Sequence, residues 1–423
     1  MRLRQHNCIH HERRTRMAQQ LATVVNSWTL PTLAPFVLNN APPALVAAPS
    51  NFSSFNPSLI VSEGADAETQ SLLIFFRVSN MHFCPGLPAR TSWRDSMRLQ
   101  THIRSYLAAA ELDALTFEPR AAATVLREAS SLFRTEGEAC AARIDAGVGV
   151  HGTFSGPEDP RAFWSPTSPH PKLLVPAWTD NCSRLRMHIV TLPHSVAGGG
   201  SVGRVGSEPS HVALFVDEWP ARATMPDPET EPIQKNWLPF VHGGTVWLEY
   251  SIEPRVVLLV NEASGRCVPV LPRCAAAAAG RRDCPTTHAL FPSFPPLARL
   301  AAEYGRVSGG APPVHLREHG AYLGLAHVKE SRRAPEDIGT ARMVYRHVFY
   351  AFEDSPPFAV IAAGVPRTLP QSDGRAPTVQ FAAGMALDRT GTQLIVSYSV
   401  HDCGVQLARL QLDAVLRDVG LLW

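Results

Sequence analysis

The sequence predicts an all-β fold of many short antiparallel strands, and three of its features carry that expectation. Proline is abundant, 37 of 423 residues, and proline breaks helix interiors while tolerating turns and sheet edges. Short apolar runs recur between turn residues, several of them alternating apolar and polar side chains at the period of a half-buried strand. No segment repeatedly couples a strand to a long amphipathic helix, which sets aside a doubly wound parallel sheet. A hydrophobic fraction of 45% is ample for a large core and excludes global disorder.

Taken in order, residues 1–50 read as a disordered or targeting segment. The start, MRLRQHNCIHHERRTRM, sets five arginines against the single Glu12, as in an organelle transit peptide or a solvated tail. The compartment is therefore cytoplasmic or, if that start is a transit peptide, organellar. The apolar stretch that follows is interrupted by Asn26, Pro31 and Pro35, so no membrane-spanning helix is expected there. The domain proper is expected over 51–423. Its strand-like runs include SLLIFFRVSN, KLLVPAWTDN, RLRMHIVTLP, VALFVDEW, TVWLEYSI, RVVLLVN, AYLGLAHV, YRHVFYAFE, FAVIAAG, TVQFAAGMAL and TQLIVSYSV.

Residues 92–142 interrupt this pattern. HIRSYLAAAELDAL and AAATVLREASSLFR have helical spacing, which predicts a helical insertion after the first strand group. Loop insertions are expected at 196–210, around GGGSVGRVG, and at 263–300, where Cys267, Cys274 and Cys284 cluster. The C-terminal VQLARLQLDAVLRDVGLLW is predicted to pass from a strand into a short helix. Periodicity alone leaves a pair of β-sandwiches or a β-propeller open.

Composition also excludes functions. Lys+Arg 39 against Asp+Glu 37 gives +2, so nucleic-acid binding by bulk charge is ruled out. The eight cysteines form no Cys-x-x-Cys pair and have irregular spacing for a zinc site; no metal centre is expected, and for the Cys267, Cys274 and Cys284 cluster free thiols are the simpler reading beside a disulfide or a metal. No Walker loop, dinucleotide fingerprint or Gly-x-Ser-x-Gly elbow occurs.

Chemistry concentrates in a few segments. Gly156-Pro157-Glu158-Asp159-Pro160-Arg161 places paired carboxylates at a rigid turn beside a cation able to hold one of them ionised; a capped turn with a surface ion pair uses the same residues. Lys235-Asn236-Trp237 offers a cation, an amide and a flat stacking surface, a set suited to a sugar that carries or meets phosphate. Two later segments end in polar residues amid apolar ones, Tyr322 to His327 with Tyr345 to Tyr350, and Tyr398 to Asp402.

In this order the motifs resemble the five-bladed β-propeller family of β-mannoside phosphorylases (glycoside hydrolase family 130) and similar β-mannosyltransferases. The resemblance runs over roughly residues 50 to 416. It comprises Asn56-Pro57 and Arg77 in a first blade, Glu158 to Arg161 in a second, and Lys235-Asn236 in a third. The fourth blade has His327, Tyr350 and Pro356-Pro357, and the last has Tyr398 to Asp402. It implies that Asp159 is the general acid of an inverting displacement, with Lys235 and His327 binding phosphate. Asp402 would hold sugar hydroxyls, Arg77 and Trp237 would shape the pocket, and Asn56, Glu158, Arg161, Asn236 and Tyr350 would complete the substrate site. No cofactor is implied; inorganic phosphate or a sugar nucleotide is the co-substrate, and the partner is an oligosaccharide or glycoside.

The chain departs from the family pattern at Ser399, where glycine is usual, and at Gly309-Gly310-Ala311, where Gly-Gly-Thr is usual. Glu253-Pro254-Arg255 stands where Asp-Pro-His is more common. Two other readings share the fold. One is a hydrolase using Glu253 or Glu353 as a second carboxylate, and the other is a non-catalytic propeller for sugar or protein binding.

Overall fold

The computed structural model describes residues 22–28, 52–62, 70–80, 103–133, 154–179, 184–192, 209–220, 225, 227–231, 233–270, 292–332, 342–370 and 379–422. The described strands form five separate sheets, each built mainly from consecutive antiparallel strands; the two-residue strands Phe154–Ser155 and Phe215–Val216 instead pair in parallel. The first strand, β1 (Ala22–Trp28), departs furthest from this local order, as it pairs with the far end of the chain.

Blade one comprises β2 (Ser53–Ser62), β3 (Ser71–Ser79), β4 (Ile103–Asp113) and β5 (Thr124–Val125), with the two-residue β6 (Phe154–Ser155) alongside β4. Blade two holds β7 (Arg161–Trp164), β8 (Pro171–Thr179), β9 (Arg184–Thr191) and β10 (Ser210–Ala213). In blade three, β11 (Phe215–Val216) joins β12 (Leu238–His242), β13 (Thr245–Ser251), β14 (Val256–Val260) and β15 (Arg266–Pro269). Blade four consists of β16 (Ser308–Leu316), β17 (Ala321–Arg332), β18 (Arg342–Glu353) and β19 (Val360–Ala363). Blade five is β20 (Gln380–Leu387), β21 (Gln393–Val400) and β22 (Gly404–Gln411), completed by β1 on the outside of β22.

The innermost strands pack in a closed cycle: β2 on β7, β7 on β12, β12 on β16, β16 on β20, and β20 on β2. Five sheets closed in this way make a five-bladed β-propeller. The β1–β22 pairing, over Ala22 to Trp28 against Leu410 to Val405, ties the two ends of the chain into one sheet. Residues 22–28 lie in the segment expected to be disordered or targeting; the rest of 1–50 lies outside the described residues.

The core sits between blades. Five apolar clusters each draw side chains from neighbouring sheets, for example Leu174 and Ile189 of blade two with Leu248 and Leu258 of blade three. This explains why β3 and β8 read as continuous apolar runs: a central strand of a propeller blade is covered on both faces.

The expected helix at HIRSYLAAAELDAL is a strand, β4. Its alanines lie opposite the bulky side chains of β3, Ala109 against Phe75 and Ala108 against Phe76, all fully or nearly fully buried. Small residues are needed where large aromatics fill the sheet interface, so packing overrides the helical propensity of alanine. Of the predicted helical insertion, the described residues contain one short helix, α1 (Arg127–Ser131). Residues 92–102 and 134–142, most of 196–210 and 271–291 lie outside the described residues.

Helix α2 (Pro295–Tyr304) begins with prolines, and the Glu253 carboxylate accepts from the Phe294 N–H at 3.0 Å just before it. At the C-terminus, α3 (Leu412–Val419) buries Leu412, Val415, Leu416 and Val419, the i, i+3, i+4, i+7 stripe, worth about 1.5–3 kcal/mol per side chain before entropy. The predicted passage from strand to helix is thus present. Gly420, at φ 84°, ends it by donating to the Arg417 carbonyl.

Candidate functional site

The site is built where the inner strands begin. Asn56 lies in β2 where the β2–β3 register slips between Phe55 and Ser58, and its φ of 53° turns the chain there. Asp159 precedes β7, Asn236 precedes β12 with φ 64°, and His401-Asp402 follow β21 with φ 56° and 48°. Non-glycine residues in the left-handed region carry strain that the surrounding fold must hold. Of the seven such residues among those described, Asn56, Asn236, His401 and Asp402 lie at these strand ends, while Phe117, Glu218 and Phe358 lie elsewhere.

Direct contacts join four of the sequence-predicted residues. Asn56 Nδ2 donates to Asp159 Oδ1 at 2.6 Å. The buried Arg77 guanidinium lies 3.5 Å from Asp159 Oδ1 and 3.6 Å from Glu158 Oε2, and its Nε donates to Ser105 Oγ at 2.9 Å. The sequence suggested Arg161 as the cation holding a carboxylate. Its Nη1 instead donates to the backbone carbonyls of Asp159 and Pro160, each at 3.1 Å, and Arg77 reaches the carboxylates.

The two adjacent acids are driven apart. Burial pushes the Glu158 carboxyl up, aided by the Asp159 charge and opposed by Arg77. Burial also acts on Asp159, but the Arg77 and Arg161 charges and the Asn56 hydrogen bond outweigh it and hold this carboxyl below its usual range. Asp402 is pushed up to about 6 by burial and by the Asp159 charge, against the pull of Arg77, Lys329 and Lys235. Asp402 and Lys235 therefore belong to the same electrostatic neighbourhood as Asp159. Arg161, 1% exposed, falls to about 10 through burial, with Asp159 opposing.

The cationic and imidazole groups are undersatisfied. Arg161 Nε and Nη2, Arg77 Nη2 and both ring nitrogens of His327 are buried without hydrogen-bond partners among the described residues. His327 stacks on Tyr345 at 5.4 Å and meets Phe381 edge-on at 5.2 Å, and the Arg161 guanidinium lies 5.0 Å from the centroid of the same Phe381 ring. Burial, together with the charges of Lys329, His347, Arg161 and Lys235, keeps the His327 imidazole neutral. Buried donors of this kind cost stability unless something fills the space they face. The arrangement suits an anion held beside a carboxylate.

Asn236 enters through its backbone: a Cβ at Gly309 would lie 2.3 Å from the Asn236 carbonyl oxygen, so this glycine lets blades three and four approach. Two predicted residues lie elsewhere. Trp237 is 1% exposed and packs edge-on to Tyr250 in the core between blades two and three, leaving no open face for a sugar. Tyr350 donates to Glu249 at 2.8 Å between blades three and four, where Glu249 also pairs with Arg255.

The carboxylates considered for a hydrolase are also placed apart. Glu253 accepts from Ser293 and Phe294 at the start of α2. Glu353 pairs with Ala321, whereas His327 pairs with His347; six residues of strand, about 20 Å, separate the two positions. Among the described residues no cluster of His, Cys, Asp and Glu could hold a metal ion, and no helix is long and apolar enough to cross a membrane. Cys267, of the clustered cysteines the one that is described, is a buried free thiol as expected, and Cys403, next to Asp402, is disulfide-bonded, a bond the sequence reading did not foresee.

Sequence reasoning missed Ser399, Lys329 and Tyr345 as members of the site. Ser399 Oγ donates to Asn56 Oδ1 at 2.7 Å. Lys329 was detectable in principle, since it lies two residues beyond His327 on β17 and so on the same strand face.

No family model matches the sequence, and no curated protein matches it. Among solved structures it is similar to a β-1,2-mannobiose phosphorylase from Listeria innocua, with 12% identity and TM-score 0.48 over 94% of this chain and 100% of that one. A mannose phosphorylase from Leishmania mexicana in complex with phosphate ion follows at 11% identity and TM-score 0.45, covering 95% and 93%. An α-L-arabinofuranosidase from Lactobacillus brevis shows 9% identity and TM-score 0.39, covering 85% and 90%. At these values the likenesses add nothing to the propeller architecture that the five sheets themselves establish.

Proposed function

We propose that this protein is a carbohydrate-active enzyme that cleaves or forms a β-mannoside or similar glycoside by an inverting displacement, with Asp159 as general acid and phosphate as nucleophile. The observation that carries this reading is the ionised Asp159 carboxylate, with Glu158 and Asp402 beside it pushed toward their neutral forms, set among buried cationic donors that lack partners among the described residues. An inverting displacement needs an acid on one side of the sugar and a nucleophile on the other. When phosphate attacks, no second carboxylate is required; Glu253 is engaged at the start of α2, and Glu353 stands six strand residues from His347 on β18.

The resting site holds Asp159 ionised. A phosphate dianion drawn to Arg77, Arg161 and Lys235 would compete for those cations and add its own negative charge, raising the proton affinity of the carboxyl. Asp159, having taken up a proton from solvent, delivers it to the departing glycosidic oxygen. Meanwhile an oxygen of the hydrogen phosphate dianion bonds to the anomeric carbon and the dianion's own proton passes to solvent. The products are a sugar 1-phosphate and a free hydroxyl, and Asp159 is left ionised as at the start. Asp402 and the Asn56 amide are placed to orient sugar hydroxyls. A neutral His327 can donate one N–H to the anion.

The test is to incubate the purified chain with β-linked manno-oligosaccharides, with and without phosphate, beside Asp159→Asn. Sugar 1-phosphate formed only with phosphate, and reduced about 100- to 10,000-fold in the variant, is the expected result. Equal turnover by both proteins would overturn the assignment of Asp159. Phosphate-independent turnover would replace phosphorolysis with hydrolysis or transfer.

A further inference from the structure

Lys329 sits on β17 two residues beyond His327, and successive odd positions of a strand share a face. Its Nζ lies 5.1 Å from the centroid of the Tyr345 ring, the ring that also stacks on His327. Lys329 and Tyr345 are direct cross-strand partners in the β17–β18 pair. Tyr345 thus seats both side chains, the imidazole by stacking and the ammonium through its π face.

The ammonium has no ion-pair partner among the described residues. Burial disfavours its charge, the Lys235 and Arg306 charges repel it, and Asp402 and Asp159 attract it only from beyond ion-pair distance. Two lysines from different blades therefore act on one small region, and neither makes an ion pair among the described residues. Lys235 and Arg306 also line a common crevice with Ser251, Ser308 and Glu249, the last of which is paired with Arg255. Like charges brought close repel, and an anion between them relieves that repulsion.

We infer that Lys329 is a second anion-binding lysine of the site proposed above, and that it acts with Lys235 to hold a dianionic phosphoryl group, that of inorganic phosphate or of a sugar 1-phosphate. The inference rests on that reading of the site and extends it. Lys235 reaches the anion from the loop before β12, and Lys329 from the β17–β18 surface, so the phosphoryl group is gripped from two blades. Tyr345 fixes the Lys329 side chain and lowers the entropy lost when the anion binds.

Equilibrium binding separates this inference from the catalytic reading. Inorganic phosphate and mannose 1-phosphate are titrated calorimetrically at low ionic strength into the intact chain, Lys329→Met, Lys329→Arg and Lys235→Met; methyl β-mannoside serves as the uncharged control. The expected result is that Lys329→Met weakens both phosphoryl ligands about 10- to 100-fold, leaves the uncharged sugar within about twofold, and is largely rescued by Lys329→Arg.

A merely structural role for Lys329 over Tyr345 would weaken charged and uncharged ligands alike and would overturn the inference. So would Lys329→Met binding phosphate as the unaltered chain does, while leaving the Lys235 site intact. Were Lys329→Met not to fold, Lys329→Gln supplies the same neutral comparison. Failure of the unaltered chain to bind either phosphoryl ligand would overturn the phosphate site as a whole.

Discussion

Ser399 secures the Asn56 amide in the orientation that Asp159 sets. The ionised Asp159 carboxylate can only accept, so the Asn56 amino group turns toward it, at 2.6 Å, and the amide oxygen faces the other way. Ser399 Oγ meets that oxygen at 2.7 Å and must therefore donate. A residue of the last blade thus orients a residue of the first, which orients a carboxylate at the entry to the second. The serine supplies a hydrogen bond that a glycine at this position could not.

Ser399→Ala should loosen this chain of contacts without unfolding the blade. The lost buried hydrogen bond is worth about 0.5–1.5 kcal/mol of stability, while turnover should fall about tenfold because the acid loses a fixed geometry. Steady-state rates with thermal melts check both. A rate equal to that of the unaltered chain would show that Asn56 needs no support from blade five.

Asp402 makes the protein's stability fall as pH rises. Its folded pKa, about 6, lies above the usual 3.8, so the folded state binds this proton more tightly than the unfolded chain does. That contribution is fully present below pH 3.8 and is lost as pH rises through about 6. Asp402→Asn should therefore raise stability at pH 8 by up to about 3 kcal/mol and leave it nearly unchanged at pH 4. Melting curves at the two pH values measure the difference; equal shifts would contradict the assignment.

His188 acts in the opposite sense. It is buried in blade two with neither ring nitrogen hydrogen-bonded, and burial first, then the His211 and Arg186 charges, lower it to about 3. A depressed histidine keeps its stabilising effect above its ordinary pKa of 6.5 and loses it as pH falls toward 3. His188→Leu should make acid unfolding less steep by about one proton over that interval. Denaturant melts between pH 7 and 4 report the slope.

Tyr350 should matter for stability and not for catalysis. Tyr350→Phe removes one hydrogen bond from the buried Glu249, which keeps Arg255. The cost should be about 1–3 kcal/mol in denaturant melts, with KM for a glycoside unchanged. A selective rise in KM would place the phenol within reach of substrate.

Much of the architecture was legible in the sequence because strand signals are local. The runs from SLLIFFRVSN to TQLIVSYSV carry their strand character in apolar and β-branched content, and each becomes a strand or part of one. The β4 segment misled for a physical reason. Its alanines favour a helix when isolated, and only Phe75 and Phe76 across the sheet make small side chains a strand requirement. Likewise, nothing in ATVVNSW announces that β1 will pair with β22, almost four hundred residues later.

The sequence by itself determined the residue types available for chemistry: a carboxylate pair before an arginine, a lysine before an asparagine, a histidine at a strand position, an aspartate after the last inward strand. Only the tertiary structure decided which of them meet. It put Arg77 rather than Arg161 on the carboxylates, sent Trp237 and Tyr350 into the seams between blades, and brought Ser399 and Lys329 to a site that no local pattern marks. Closing five sheets into a ring makes neighbours of residues from every part of the chain, and the field that sets each charge is the sum over all of them.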